Sequence, residues 1–310
     1  MMIKGVFTFL ILFSHSHGYL FPSDSWTDSI YAMVQDHLGQ LIVAMFFFYS
    51  GYGIWESFKN KEKYEKSFLS RRVLRLLLHF DIALVLYIII QLFIPIVYPT
   101  RNYVLCWIGW ESVGNSNWFI FVILCLYMIA WGAMTMQRCC GRGGTIFLIL
   151  AAIALWMILQ IVFHKESWWV DTLAAFPLGV IASSAKDNVF IVLKKRHLPI
   201  IVSTILLILF GVAHIFFGMD IYGGITCLFC CLVVALSSWI QIGNPVLEWA
   251  GENAFTIYII QRLPMIIGSS LGLDQRPYLF LLFVIPISLL LAEGLSILYK
   301  LIDTRLFANA

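Results

Sequence analysis

The chain has 310 residues, of which 61% are hydrophobic and 12% charged, with a formal net charge of +3. A mean hydropathy of +0.89 excludes a soluble domain with a polar shell. The slight positive balance is not a nucleic-acid footprint: the basic residues sit between apolar runs, where they face anionic lipid and set orientation.

Ten apolar segments reach the length needed to span a bilayer as helices, about 17–25 residues. They run roughly over 5–21, 38–56, 73–97, 117–136, 145–163, 168–185, 198–217, 222–240, 253–271 and 278–299. The fold class expected is all-α, a polytopic membrane helix bundle forming one domain over residues 1–310. Lys4 followed by Val6–Phe13 has the shape of a signal peptide, but no small-x-small cleavage site follows, so a retained first helix is expected. With the N-terminus cytoplasmic, most of the 20 Lys and Arg residues fall on the inner side. Arg101, Lys165 and Arg276 fall outside and Arg262 within a span, so both termini are expected inside.

The first helix carries the first chemical signal. Lys4 and His15 are eleven residues apart, which on a helix returns to within about 20° of one face after a rise of about 16 Å. Thr8 lies between them on that stripe. His15 is therefore either a proton-transfer base near the bilayer midplane or a helix-packing histidine. His17 and His214 are weaker rivals. Residues 22–37, with Trp26, Ile30, Tyr31 and Val34 at helical spacing, suggest a short interfacial helix or a lid.

Arg72 and Arg75, at i and i+3, are expected to open the third helix. There two guanidiniums and unpaired N–H groups would suit a phosphate, or the pair would simply anchor the helix end. The run of lysines over 59–66 is a solvated inner loop. The region 98–116 supplies the aromatic anchors Trp107 and Trp110 just before Trp118. Seven cysteines form no disulfide framework or zinc spacing, and no metal site is expected. Near the end, Gly243-Asn244-Pro245 breaks the chain. Asp81, Arg262 and Glu293 are placed at matched depth, which allows Arg262 to pair with either carboxylate.

These elements together resemble acyltransferase family 3, the integral-membrane fold of bacterial polysaccharide O-acetyltransferases, along nearly the whole chain. Lys4 and His15 look like its basic-x10-His signature, and Phe46-Phe47-Phe48-Tyr49-Ser50-Gly51-Tyr52 is similar to its FF-x-x-SG[FY] segment. Arg72-x-x-Arg75 looks like its RxxR, and Asn117-Trp118-Phe119 with Tyr127 its fourth helix. Glu248-Trp249-x-Gly251-x-x-x-Phe255-Thr256-Ile257-Tyr258 resembles a late G-x-x-S[FY]-x-IY segment. Two departures stand out: Lys4 where Arg is usual, and Gln261-Arg262 where many relatives carry a histidine near Gln261.

The resemblance implies an acyl-coenzyme A donor, usually acetyl, as co-substrate. Arg72, Arg75 and Lys4 would hold its phosphates, and His15 would act at the acyl-transfer centre. Ser50, Asn117, Trp118, Tyr258, Gln261 and Arg262 would support it. The expected partners are acyl-CoA, a glycan or lipid-linked acceptor hydroxyl and membrane lipid, with no nucleic acid; the expected location is the bacterial plasma membrane. A secondary transporter or lipid flippase is the rival reading, and a non-catalytic partner in an envelope assembly a third. Paired Gly/Pro-broken repeats, frequent in transporters, are not evident.

Overall fold

A computed structural model describes residues 2–20, 26–94, 96–164, 166–187, 197–217, 222–240 and 243–307. All of its regular structure is helical, with no strand among the described residues. Among them five helices are long and apolar enough to cross a bilayer: Leu38–Asn60, Tyr64–Ile90, Trp118–Thr135, Gln137–Val162 and Pro277–Leu306. Ala175–Ser184, Leu198–Ala213 and Gly223–Ser237 are equally apolar but shorter. Large side chains such as Phe147, Leu155, Ile158, Ile208 and Ile215 point outward. Outward apolar faces of this kind suit a lipid solvent, and helices are the form in which backbone polar groups can be satisfied there.

The helices, in chain order, are α1 Met2–His17, α2 Trp26–Asn60, α3 Tyr64–Ile90, α4 Thr100–Leu105, α5 Trp118–Thr135, α6 Gln137–Val162 and α7 Ala175–Ser184. They continue with α8 Leu198–Phe217, α9 Tyr222–Ser237, α10 Pro245–Glu252, α11 Ala254–Ile260, α12 Arg262–Ser270 and α13 Pro277–Leu306. They fall into two compact units. The first takes in residues 1–39, 67–124 and 244–310; the second takes in 40–66 and 125–243.

In the first unit α1 lies along α10 and α11. The approach is close because Gly5 has no side chain: a Cβ there would stand 1.9 Å from the Leu247 carbonyl oxygen. The Gly-Asn-Pro break does what its composition suggests. Asn244 caps α10, its Oδ1 accepting from the N–H groups of Val246 at 2.8 Å and Leu247 at 3.3 Å, and Pro245 takes the first turn, where no N–H is needed. Trp249 Nε1 then donates to Glu293 on α13 at 2.7 Å, and Ser296 Oγ donates to Asn253 at 2.5 Å, fixing α10 against α13.

In the second unit α2 and α7 meet backbone to backbone in a reciprocal way. A Cβ on Gly51 would sit 2.1 Å from the Phe176 carbonyl oxygen, and one on Gly179 would sit 2.1 Å from that of Phe48. Small residues allow such approaches between helices in lipid, where dispersion contacts replace the hydrophobic effect as driving force. One end of this contact is tied by Glu56. Its carboxylate accepts from Ser183 Oγ at 2.9 Å and pairs with Lys59 at 3.1 Å and Lys186 at 3.3 Å.

Two elements differ from expectation. Residues 26–37 form no separate helix but the first turns of α2; residues 21–25 and the side chains of 21–37 lie outside the described residues, as does the side chain of His214. The span expected over 253–271 is broken into α11 and α12 at Gln261. Pro264 lacks an N–H for the carbonyl of Ile260, and its ring crowds that carbonyl, so the helix opens one turn before it.

Candidate active site

His15 sits on α1 with its Nδ1 2.6 Å from Nε2 of Gln261. As drawn, the amide donates and the imidazole carries its proton on Nε2. The break at Pro264 delivers Gln261 to this place, fully buried. Neighbouring hydroxyls on α1 do not compete: Thr8 Oγ1 donates to the Lys4 carbonyl at 2.8 Å and Ser16 Oγ to that of Leu12 at 2.9 Å. The ring of Tyr258, on α11, tilts against the imidazole with centroids 5.7 Å apart, and Phe119 meets Tyr258 edge-on at 5.2 Å.

Buried polar atoms of this region have no hydrogen-bond partner, Gln261 Oε1, Asn115 Nδ2 and Arg262 Nε among them, while the Tyr258 and Ser116 hydroxyls lie beside each other. Native interiors leave few such atoms unfilled, and a group of them marks a place that receives a ligand or water. The Arg262 charge reaches His15, Tyr19, Tyr87, Tyr98 and Tyr258. Arg262 pairs with neither Asp81 nor Glu293, which corrects the matched-depth expectation. Glu293 is already bonded to Trp249, Asp81 Oδ1 has no partner, and the break at Gln261 resets the helical phase that the depth count assumed.

The segment that follows α3 lies beside Tyr258 and α12. Gln91 bridges it, donating to the Val113 carbonyl at 3.0 Å and accepting from Tyr103 Oη at 2.6 Å. Asn102 Nδ2 donates to the Ser112 carbonyl at 2.7 Å, and Asn115 Oδ1 accepts from the Val113 N–H at 3.0 Å. Gly109 and Gly114 adopt positive φ angles of 75° and 98°. At Gly114 a Cβ would strike Ile266 Cδ1 at 2.9 Å and Tyr98 Oη at 3.1 Å, so glycine lets the segment close on α12. Asn117, expected to support the acyl-transfer centre, donates its amide to the Gly109 carbonyl at 3.1 Å and braces this segment. Trp118 packs beside Phe119 at the start of α5. Ser116 and Asn115, unflagged by sequence, present polar atoms here. The polar run Ser112–Asn117 in so apolar a chain was the signal that could have found them.

At the other end of α1, Lys4 and Arg72 lie close enough for their like charges to act on each other. The arginines do not open a helix. α3 begins at Tyr64 and passes through a π-helical stretch, Leu69–Leu74, so Arg72 lies inside a continuous helix and offers no unpaired N-terminal N–H groups. Arg75 forms an ion pair with Asp303 of α13. His79 Nε2 lies 3.0 Å from the same carboxylate, its ring stacked on Tyr299 at 4.0 Å, while Tyr299 Oη donates to the His79 carbonyl at 2.7 Å. Lys4 and Arg72 thus form one cationic locus, and Arg75 belongs to a second, carboxylate-bearing one. Ser50 falls in the other unit, on the α2 turn next to Gly51, and is half-buried there.

A mostly apolar helical framework that keeps a hydrogen-bonded imidazole among unfilled polar atoms defines a membrane protein with an internal polar site. The family narrows that class. The chain matches the model of the acyltransferase domain, family 3, over residues 2–296, and it belongs to that family. No curated protein and no solved structure gives a match.

Proposed function

We propose that this chain is a membrane O-acyltransferase that moves an acyl group, acetyl in the first instance, from cytoplasmic acyl-CoA to a hydroxyl of an envelope or surface glycan or lipid acceptor. In this reading the ten apolar segments all span a bacterial plasma membrane and both termini are cytoplasmic. The observation that carries it is the His15–Gln261 bond set among unfilled polar atoms in a chain of the acyltransferase family.

The donor phosphates are held at the Lys4 and Arg72 end, with Arg75 joining once it leaves Asp303. For His15 to accept a proton at Nε2, Nδ1 must carry the other one. Turning the Gln261 amide about its last bond places Oε1 on Nδ1–H and leaves Nε2 free, and oxygen and nitrogen exchange places at no steric cost. His15 then takes the acceptor hydroxyl proton as that oxygen attacks the thioester carbonyl. The tetrahedral oxyanion collapses, the carbon–sulfur bond breaks, and the departing thiolate recovers the proton from the imidazolium. General-base help of this kind contributes about 10²–10⁴-fold. Donors such as Tyr258 Oη and Ser116 Oγ are candidates to stabilise the oxyanion.

The test is transfer of label from acetyl-CoA by inside-out membranes containing wild type, His15→Ala or the Arg72→Ala/Arg75→Ala double variant. Transfer should be abolished by the first change and sharply weakened by the second, with insertion unaltered. Equal labelling by all three would overturn the assignment.

A further inference from the structure

Arg262 carries a permanent charge into the interior of the first unit, yet among the described residues no carboxylate pairs with it, and its Nε is buried without a partner. A guanidinium keeps its proton under all relevant conditions, so it cannot relieve the cost of burial by neutralising. Uncompensated charge inside a membrane protein is rare and marks a functional position. What surrounds it is also specific. Asn115 Nδ2 is an unfilled donor, the Tyr258 and Ser116 hydroxyls lie beside each other with one proton to spare, and Gln261 Oε1 is an unfilled acceptor. Tyr19 and Tyr98 lie within reach of the same charge.

Position adds a second argument. Tyr19 lies in the turn that closes α1 at the end away from Lys4, its N–H bonded to the Ser16 carbonyl at 3.1 Å. Tyr98, Asn115 and Ser116 come from the segment that follows α3, closed on α12 at Gly114. Arg262 therefore belongs to the end of α1 beyond His15, whereas Lys4 and Arg72 lie at the opposite end. Arg262 is separated from the Lys4 and Arg72 locus by most of the length of α1, about 20 Å. One imidazole between two positive loci is suited to two anionic ligands that meet at it.

We infer that Arg262 and the unfilled donors beside it bind an anionic group, a carboxylate or a phosphate, on the acyl acceptor. The acceptor hydroxyl is thereby placed next to His15. This rests on the acyltransferase reading for the word acceptor. The binding itself does not depend on the donor. Arg262 is a substrate-binding residue in this scheme, and once Gln261 Oε1 holds the imidazole its Nε2 is left to donate to a sugar hydroxyl.

The experiment uses the full chain, purified in detergent, with no coenzyme A present. Binding is measured by calorimetry for three probes: an oligogalacturonate, its carboxyl-reduced oligogalactose counterpart, and a hexose 1-phosphate. At least one anionic probe should bind, at least tenfold more tightly than the reduced sugar, and which of the two binds tells carboxylate from phosphate. Arg262→Gln should weaken it by about ten- to a hundredfold, the range expected for a charge-assisted contact, and Arg262→Lys should recover part of the loss. Arg101→Gln, which removes an exposed cation paired with Glu111 at 3.0 Å, should leave binding unchanged. Equal affinity for the reduced sugar, undiminished binding by Arg262→Gln, or binding of neither anionic probe would each overturn the inference. Should Arg262→Gln fail to fold, the wild-type preference between acidic and reduced probes still decides. Because no donor is present, a failure of acyl transfer from coenzyme A leaves this result standing.

Discussion

Replacing Gly5 by alanine tests whether the packing of α1 on α10 positions the chemistry. The added Cβ would lie 1.9 Å from the Leu247 carbonyl oxygen, and ordinary contact begins at 3.4 Å, so the two backbones must separate by about 1.5 Å. The obstacle is backbone on a short capped helix, which cannot swing aside as a side-chain tip would. His15 is ten residues further along the same rigid helix. A shift of even 1 Å would stretch the 2.6 Å bond from Gln261 to about 3.6 Å, beyond hydrogen-bond range. Misplacement by about 1 Å costs on the order of 10²-fold in rate. Gly5→Ala should therefore insert normally but transfer label from acetyl-CoA about a hundredfold more slowly, while Gly53→Ala, where nothing lies within 4 Å, serves as the control. The assay is initial-rate transfer normalised to the amount of folded protein, judged by monodisperse elution in detergent. If Gly5→Ala worked within twofold of wild type while His15→Ala was inactive, the α1–α10 contact would not be what places the imidazole.

Gln261→Leu should lower acyl transfer about 10–100-fold, the usual effect of removing the partner that orients a functional histidine, with little change in the KM for the donor; a KM effect alone would assign Gln261 to binding instead. Asp303→Asn frees Arg75 from its ion pair, and because the Arg75 side chain is about half exposed the gain is small. The KM for acetyl-CoA should fall about two- to fivefold, and a rise would mean that Asp303 positions Arg75 rather than competing for it. In the second unit, Gly179→Ala puts a Cβ 2.1 Å from the Phe48 carbonyl oxygen and should cost about 1–3 kcal/mol, seen as a lowered thermal midpoint in detergent, whereas Gly132→Ala meets nothing within 4 Å and should leave the midpoint unchanged.

What the sequence disclosed was set by local rules. Apolar length located α5, α6 and α13, and the Gly-Asn-Pro punctuation located the start of α10. Each depends on residues adjacent in the chain. The partnership of Lys4 with Arg72 and of His15 with Gln261 joins elements more than sixty residues apart, and spacing within one helix cannot reveal it. The π turn at Leu69–Leu74 escaped for a different reason. Its residues are ordinary helix formers, and an i→i+5 stretch leaves no signature in their pattern. Arg75 accordingly turned toward Asp303, a residue whose place near the chain end gave no hint of the connection.

The departure at Gln261-Arg262 has a physical consequence that depends on Pro264. A continuous helix would carry positions 258 and 262 one turn apart on a single face, with their backbone groups satisfied within the helix. The break ahead of Pro264 instead directs Gln261 to the imidazole and places Arg262 within reach of Tyr19 and Tyr98. One proline thus separates two adjacent side chains into two tasks, one fixing the histidine and the other supplying charge beyond it. Pro264→Ala should restore the missing N–H and draw α11 and α12 toward one helix, so it should impair the Gln261 and Arg262 functions together. Loss of only one would show that the break does not couple them.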